Sequence, residues 1–179
     1  MNRVANFNIY LGDRCLQTYA DPPEDPLNEL SAFELGIRRF CYECNRPIYL
    51  EIGDDRLQLF LDPDICMLLD EELPEKVVKF ENGHSLTLEF VESEGVRIEI
   101  GANADIVPCS LHYFGDNFNP QSGREKTLLL DRDRVLMTLK LFLYQITILA
   151  RDSGYISPND MLDFLKPTLV SGLEKTAIA

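Results

Sequence analysis

Short stretches that alternate apolar and polar residues recur along this chain, and several neighbouring stretches are separated only by a turn. Residues 85–91 and 96–100 form the clearest pair, joined by Glu92-Ser93-Glu94-Gly95. A period of two predicts strands that have one buried and one solvated face. Because turns this short join antiparallel strands, the pattern predicts a sheet built mainly from hairpins.

Two other hairpins are predicted on the same grounds. Residues 7–11 are expected to pair with residues 15–19, and residues 48–52 with residues 57–61, in each case around a turn that contains glycine. Residues 106–114 form the last predicted strand. The sequence lacks the regular strand–helix–strand alternation that is typical of a parallel sheet.

Helices are predicted where apolar residues recur every three or four positions. The segments are residues 27–44, residues 64–72 with a continuation to about residue 80, a long helix that ends at Arg151, and residues 158–165. Asp131 or Asp133 is expected to cap the long helix, and Ser157 the last one, since both residue types accept hydrogen bonds from the free N–H groups at a helix start.

These elements predict one α+β domain over residues 1–179. The sheet is expected to be mainly antiparallel and to carry three to four helices, with the long C-terminal helix packed centrally. The tail after about residue 171 is expected to be frayed.

The net charge of the chain is −13, and all of it lies in the first two-thirds. Residues 62–105 carry 12 acidic side chains and three basic ones, whereas residues 125–179 carry seven of each. A surface of one sign repels nucleic acid and anionic membranes and attracts basic proteins. We therefore expect a basic protein partner and no direct binding to nucleic acid or to membranes.

The sequence also contains features that indicate the cellular compartment of the protein. It begins without an apolar run, so a signal peptide is not expected. The longest apolar stretch, residues 135–150, is too short and too often interrupted by polar residues to span a bilayer. Five cysteines in such a chain indicate reduced thiols. We therefore predict a cytoplasmic protein.

Two pairs of residues have the spacing of zinc ligands, Cys41-x-x-Cys44 and Cys109-x-x-His112. The predicted helix places the first pair on an apolar stripe, and the predicted strand directs residues three positions apart to opposite faces. Buried cysteines commonly behave as small hydrophobic residues. We therefore predict no metal, and since no nucleotide-binding motif is present, no cofactor.

An active site assembled from dispersed residues is the alternative to a binding role. Cys109, His112 and Tyr113 are the closest candidates, because a nucleophile and a base must lie within hydrogen-bond reach. A pocket that gathers these side chains with shifted pKa values favours an enzyme. A flat acidic patch with exposed aromatic residues favours a binding protein.

Aromatic and acidic residues fall on the non-core side of the predicted strands. Tyr49 and Phe60 are large side chains to expose, and Glu51, Glu89 and Glu99 accompany them. Interfaces combine aromatic anchors with a charged rim, so these five are the predicted partner-binding residues. The alternative is that a helix or loop of the same chain covers this face.

The long helix, residues 135–151, is apolar on two sides. One stripe contains Val135, Leu139, Phe142, Leu143, Ile146 and Leu149; the other contains Met137, Leu141, Tyr144 and Ile148. A helix with this pattern is buried on both sides. It lies either between the sheet and another helix or at the contact of a homodimer.

Composition and motifs together predict a non-enzymatic acidic module that binds a basic protein. The most concrete version is an immunity protein or antitoxin that blocks a nuclease-type toxin, whose nucleic-acid site must be positive. An acidic secretion chaperone or a nucleic-acid mimic uses the same electrostatics.

Overall fold

The computed structural model describes residues 4–13, 25, 27–70, 72–102, 104–114 and 125–169. Within these residues the chain forms two sheets and five α-helices around an apolar core. All but one of the strand pairs are antiparallel. The predicted α+β class is therefore confirmed, but the strands are divided between two sheets.

The smaller sheet has three strands in the order β2–β3–β4: β2 is Phe7–Leu11, β3 is Pro47–Ile52 and β4 is Asp55–Phe60. The predicted β3–β4 hairpin is present, with Leu50 opposite Leu57. The structure pairs β2 with β3 and places Ile9 opposite Leu50, so the apolar residues of both strands share one face. Residues 15–19, the predicted partner of β2, lie outside the described residues.

The larger sheet has five strands in the order β1–β8–β7–β6–β5. Their bounds are Val4–Ala5 for β1, Leu86–Phe90 for β5, Val96–Ile100 for β6, Ile106–Tyr113 for β7 and Glu125–Asp131 for β8. The β5–β6 hairpin is as predicted. Strand β8 was not predicted, because its three consecutive leucines do not alternate with polar residues, and its pairing with β1 is parallel.

A single residue, Asn6, joins the two sheets, since it separates β1 from β2. The Gly53 N–H donates to the Asn6 carbonyl oxygen at 2.9 Å, which ties the β3–β4 turn to this corner. Gly53 has a φ of 62°, a conformation that glycine adopts without a steric penalty. The inner faces of both sheets contribute to the same buried cluster.

Helix α1, Ala32–Glu43, begins later than predicted. Ser31 forms a capping box with Glu34, and the Asp25 carboxylate accepts from the N–H groups of Glu29 and Leu30. These side-chain bonds hold residues 27–30 outside the helix, because they satisfy N–H groups that a helical turn would use.

The second predicted helix is divided. A π-type turn, Leu61–Ile65, leads into the short α2, Cys66–Asp70, and α3 follows at Leu73–Glu81. Pro74 occupies the first turn of α3. Proline is tolerated there because the N–H groups of the first turn have no acceptor within the helix. Helix α3 ends within one residue of the predicted end at about residue 80, with Asn82 as its C-cap.

Helix α4, Arg132–Asp152, is the long helix, and Asp131 caps it by accepting from the Arg134 N–H at 2.9 Å. Phe142 and Ile146 are fully buried, so the predicted core face of this helix is confirmed. Helix α5, Pro158–Leu165, begins at the predicted Ser157 cap. Among the described segments, no helix combines the length and the apolar character that crossing a membrane requires.

Candidate interaction surfaces

The five predicted partner-binding residues do not share one surface. Tyr49, Glu51 and Phe60 lie on the outer face of the three-stranded sheet, whereas Glu89 and Glu99 lie on the outer face of the five-stranded sheet. All five are half-buried or exposed. Period-two counting placed each residue on the correct side of its own strand, but it contains no information on which strands share a sheet.

On the three-stranded sheet the outer face forms a cluster of aromatic and charged side chains. Tyr10 Oη donates to Glu51 Oε1 at 2.9 Å, and its ring lies 5.5 Å from the ring of Tyr49. Arg56, from the strand on the other side of β3, places its guanidinium 4.2 Å from the Tyr49 ring centroid. The hydrogen bond to Glu51 raises the pKa of Tyr10. Tyr49 is thus held between two neighbours, and sequence reasoning missed both Tyr10 and Arg56 as members of this surface.

On the five-stranded sheet the outer face carries ion pairs between neighbouring strands. Glu89 Oε1 lies 2.6 Å from Arg97 Nε. His112 lies between two carboxylates, 3.7 Å from Glu99 and 3.9 Å from Glu125. The charge of Glu89 is therefore compensated by a cation of the same chain. This arrangement makes the face less suitable for a basic partner than the sequence implies.

The residues of the alternative active site are separated. Cys109 points into the core, where burial raises its pKa to about 12. His112 lies on the opposite face of β7. Burial, together with the charges of Asp55 and Glu94, raises the pKa of Tyr113 to about 12. A fully buried thiol and an imidazole on opposite faces of one strand cannot act on the same substrate atom.

The cysteines that have the spacing of zinc ligands do not converge on a common centre either. Cys41 is buried in the core, and its pKa is raised by a hydrogen bond with Cys66 and by burial. Cys44 is half-buried, 4.0 Å from the Tyr155 hydroxyl. Nowhere in the described ranges do three His, Cys, Asp or Glu side chains lie close enough to hold a metal ion.

A strongly acidic groove of about 440 Å³ lies between α1, α3 and α5, and we call it the acidic groove. Its apolar floor includes Phe33 and Phe164, whose ring centroids lie 4.8 Å apart. Five exposed carboxylates surround this floor, and no Lys, Arg or His is among the described residues that line it. They belong to Glu34, Asp70, Glu72, Glu75 and Asp163.

Local contacts compensate only part of this charge. Asp70 pairs with Arg38 at 3.1 Å, and Glu75 lies 3.9 Å from Lys79. Glu34 accepts from Ser31, and these hydrogen bonds lower the pKa of its carboxyl. The groove was missed in the sequence because its acids belong to separate helices, which only tertiary packing brings together. The signal in the sequence was the density of acidic residues over residues 62–105, which include Asp70, Glu72 and Glu75.

Helix α4 carries a second unexpected surface, which we call the α4 stripe. Met137, Leu141 and Tyr144 are 59%, 53% and 48% exposed, and Ile148 is half-buried. Their spacing of four, three and four residues places them in a line along one side of the helix. No described element covers this side of α4. Burial between the sheet and another helix, the first of the two predicted explanations, therefore does not apply to these residues.

The chain has no match among models of known protein families, curated proteins or solved structures.

Proposed function

We propose that this protein is a non-enzymatic binding module that engages a basic protein through the acidic groove. The observation that supports this proposal best is the combination of an apolar floor with five surrounding carboxylates. A concave site with aromatic anchors and a charged rim has the composition of a binding hot spot. The separation of Cys109 from His112 supports a binding role over the enzymatic alternative.

The groove suits lysine and arginine side chains of a partner. The aliphatic stem of such a residue packs on apolar surface while its charged end stays near solvent. Here the rings of Phe33 and Phe164 supply the apolar surface and cation–π contacts, and Glu72 and Asp163 supply the carboxylates. The excess negative charge of the whole chain also accelerates encounter with a positively charged partner.

The basic partner that we favour is a nuclease-type toxin, which makes this protein an immunity protein or antitoxin. A nuclease needs a positive site for its nucleic acid, and an acidic protein inhibits it by covering that site. An acidic chaperone and a nucleic-acid mimic are the alternative functions, because they use the same electrostatics. In each version the protein acts in the cytoplasm and does not bind nucleic acid itself.

The proposal is tested by two double variants that change the charge equally. Glu72→Lys with Asp163→Lys alters the acidic groove, and Glu89→Lys with Glu99→Lys alters the five-stranded sheet face. The partner is recovered from native lysate at low salt, identified, and titrated against each variant. We expect the groove variant to lose about tenfold or more in affinity, since close charge pairs at interfaces contribute more than distant ones.

The sheet variant is expected to weaken binding less and to act mainly on the association rate, because it changes only the long-range field. Equal losses in both variants would show that net charge alone determines binding. A partner that binds both variants as well as it binds the natural chain would contradict the proposal, as would affinity that is independent of salt.

We also propose that two copies associate through the α4 stripe. Exposed apolar side chains in a continuous line mark an interaction site. An antiparallel pairing of two α4 helices opposes the helix dipoles favourably and places the Asp133 end of one copy beside the Arg151 end of the other, where Arg151 contacts Asp152 of its own chain at 2.6 Å. The stripe lies in the electrically balanced part of the chain, where repulsion between two acidic copies is weakest. Sedimentation at increasing protein concentration measures this association.

A further inference from the structure

Helix α3 ends in a hydrogen-bonded cap that contains the dipeptide Asn82-Gly83. The Gly83 N–H donates to the Phe80 carbonyl at 3.0 Å. The His84 N–H donates to the Lys79 carbonyl at the same distance. Together these bonds form a Schellman motif, in which a residue in the left-handed conformation follows the C-cap. Gly83 has a φ of 86°, so the motif accounts for the glycine at this position.

Arg132, at the start of α4, reinforces this cap. Its Nη2 donates to the Phe80 carbonyl at 2.8 Å and to the Glu81 carbonyl at 2.6 Å. The guanidinium also lies 5.4 Å from the centroid of the Phe80 ring. A cation that binds the last carbonyls of a helix is favourable, because those carbonyls have no acceptor role within the helix and carry its negative dipole end. Arg132 therefore holds the end of α3 against α4.

The side chain of Asn82 remains accessible in this arrangement. Asn82 is exposed, and it lines a cavity of about 350 Å³ together with Gly83, Asp105 and Arg132. Water therefore reaches the side-chain amide, and a small molecule released from it can leave.

An asparagine that precedes glycine can lose its amide group without an enzyme. The backbone N–H of the glycine gives up its proton, and its nitrogen attacks the asparagine Cγ. The amide nitrogen takes up a proton and leaves as ammonia, and a succinimide ring is formed. Water then opens this ring at either carbonyl and gives aspartate or isoaspartate. Glycine hinders the attack least because it has no Cβ, and Asn82 is the only asparagine in the chain that glycine follows.

The cap opposes this reaction as long as it is closed. The attacking nitrogen belongs to Gly83, whose N–H is bonded to the Phe80 carbonyl. The cap also fixes the ψ of Asn82 at 14°. At this angle the Gly83 nitrogen is nearly eclipsed with the backbone nitrogen of Asn82 and not with its Cβ, so the five-membered ring cannot close. The reaction therefore proceeds from molecules in which the end of α3 has opened locally.

We propose that Asn82 is a site of spontaneous deamidation and that Arg132 sets its rate by holding the α3 cap closed. The products weaken the same cap. Isoaspartate places an additional carbon atom in the backbone before Gly83, and both products add a negative charge at a helix C-terminus, where it is unfavourable. The modification therefore loosens the end of α3. This inference is independent of the proposed function.

The test incubates the full chain in mildly alkaline buffer and follows each asparagine by mass spectrometry of proteolytic peptides. We expect Asn82 to convert to a mixture of aspartate and isoaspartate. Asn28, Asn45 and Asn159 precede Glu, Arg and Asp and should stay unchanged over the same period. In urea the cap is absent, so Asn82 should react about tenfold or more faster than in the folded chain.

Two substitutions that remove the same charge from α4 separate the cap contact from the charge. Arg132→Met removes the donors to the α3 carbonyls and keeps an apolar stem beside Phe80. It should raise the rate at Asn82 by about tenfold, because charge-assisted hydrogen bonds that hold the cap are lost. Arg134→Met is the matched control, since Arg134 donates to Asn6, and it should leave the rate unchanged.

The proposal is overturned if Asn82 of the folded chain stays intact while it converts in urea, or if both rates are equal. It is also overturned if Arg132→Met and Arg134→Met change the rate alike. If Arg132→Met does not fold, hydrogen exchange at the Gly83 amide of the natural chain measures the fraction of open caps. The ratio of the folded rate to the rate in urea should match this fraction, and a clearly larger ratio would show that the closed cap reacts.

Discussion

Gly36 of α1 lies directly against the backbone carbonyl oxygen of Tyr155, so that a Cβ atom at position 36 would collide with it. Glycine in the interior of a helix normally costs about 1 kcal/mol relative to alanine. Here the close approach between α1 and the loop after α4 reverses this preference. The same contact brings the Tyr155 hydroxyl within 2.6 Å of Glu43 Oε2.

We therefore expect Gly36→Ala to destabilise the protein despite the higher helix propensity of alanine. Overpacking of a close contact typically costs about 1–3 kcal/mol. Arg39→Ala, at an exposed position of the same helix, is the matched control and should change the free energy of unfolding by less than about 0.5 kcal/mol. Urea unfolding of both variants measures the difference. A stabilised Gly36→Ala variant would show that α1 and the loop are not in contact.

The two faces of α4 give a second prediction. Phe142 is 1% exposed whereas its neighbour Leu141 is 53% exposed. Phe142→Ala should lower the free energy of unfolding by about 3–5 kcal/mol, because it removes a buried ring and leaves a cavity. Leu141→Ala should change it by less than about 0.5 kcal/mol when the protein is dilute. Equal effects of the two substitutions would show that Phe142 and Leu141 do not lie on the buried and the exposed face of α4.

The burial of Phe142 was predictable because apolar residues at helical spacing identify the face that a long helix buries. Hairpins β3–β4 and β5–β6 were predictable for a related reason, since a short turn brings the two strands that flank it side by side. Ser157 was predictable as a cap from its residue type and position, whereas the sequence left Asp131 and Asp133 as alternative caps of α4, of which the structure has Asp131. These features depend on residues that are close together in the sequence.

The features that were not predictable depend on contacts between distant residues. Val4 pairs with Leu129, and nothing near either residue specifies the other. Because the sequence does not show that the strands belong to two sheets, Tyr49 and Glu89 were assigned to one surface. The acidic groove likewise brings Glu34 to Asp163 through the packing of α1 and α5, which tertiary contacts determine.

Asp64 gives a prediction for the pH dependence of stability. Its side chain is buried and accepts from the Phe60 N–H at 2.8 Å. Burial raises its pKa above the ordinary value of 3.8, against the opposing effect of hydrogen bonds from Ser93 and Phe60. An acid with a raised pKa binds its proton more tightly in the folded state, so it contributes stability below pH 3.8 that is lost as the pH rises through the raised value.

Asp64→Asn removes this charge and keeps an oxygen that accepts from Phe60. We expect the variant to gain stability relative to the natural chain as the pH rises from about 3.8 towards neutrality, since only the natural chain then buries a charge. Urea unfolding at several pH values measures the difference between the two proteins. A difference that does not change with pH would show that Asp64 is solvated in the folded protein.

Self-association through the α4 stripe is tested with charges placed on and beside the stripe. Leu141→Glu inserts a carboxylate in the middle of the stripe, and in a symmetric dimer it does so twice. Gln145→Glu adds the same charge at an exposed position outside the stripe. We expect sedimentation to show a concentration-dependent dimer for the natural chain and for Gln145→Glu, but a monomer for Leu141→Glu.

The expected size of this effect follows from the contribution that one central side chain makes to an interface. Removing one anchor from the centre of an interface costs about 2 kcal/mol or more, which is about thirtyfold in the dissociation constant. The thermal midpoint of dilute Leu141→Glu should remain that of the natural chain, because Leu141 contacts solvent in the monomer. A natural chain that stays monomeric at every concentration contradicts the proposed dimer. An unfolded Leu141→Glu variant would instead place this side of α4 inside the molecule.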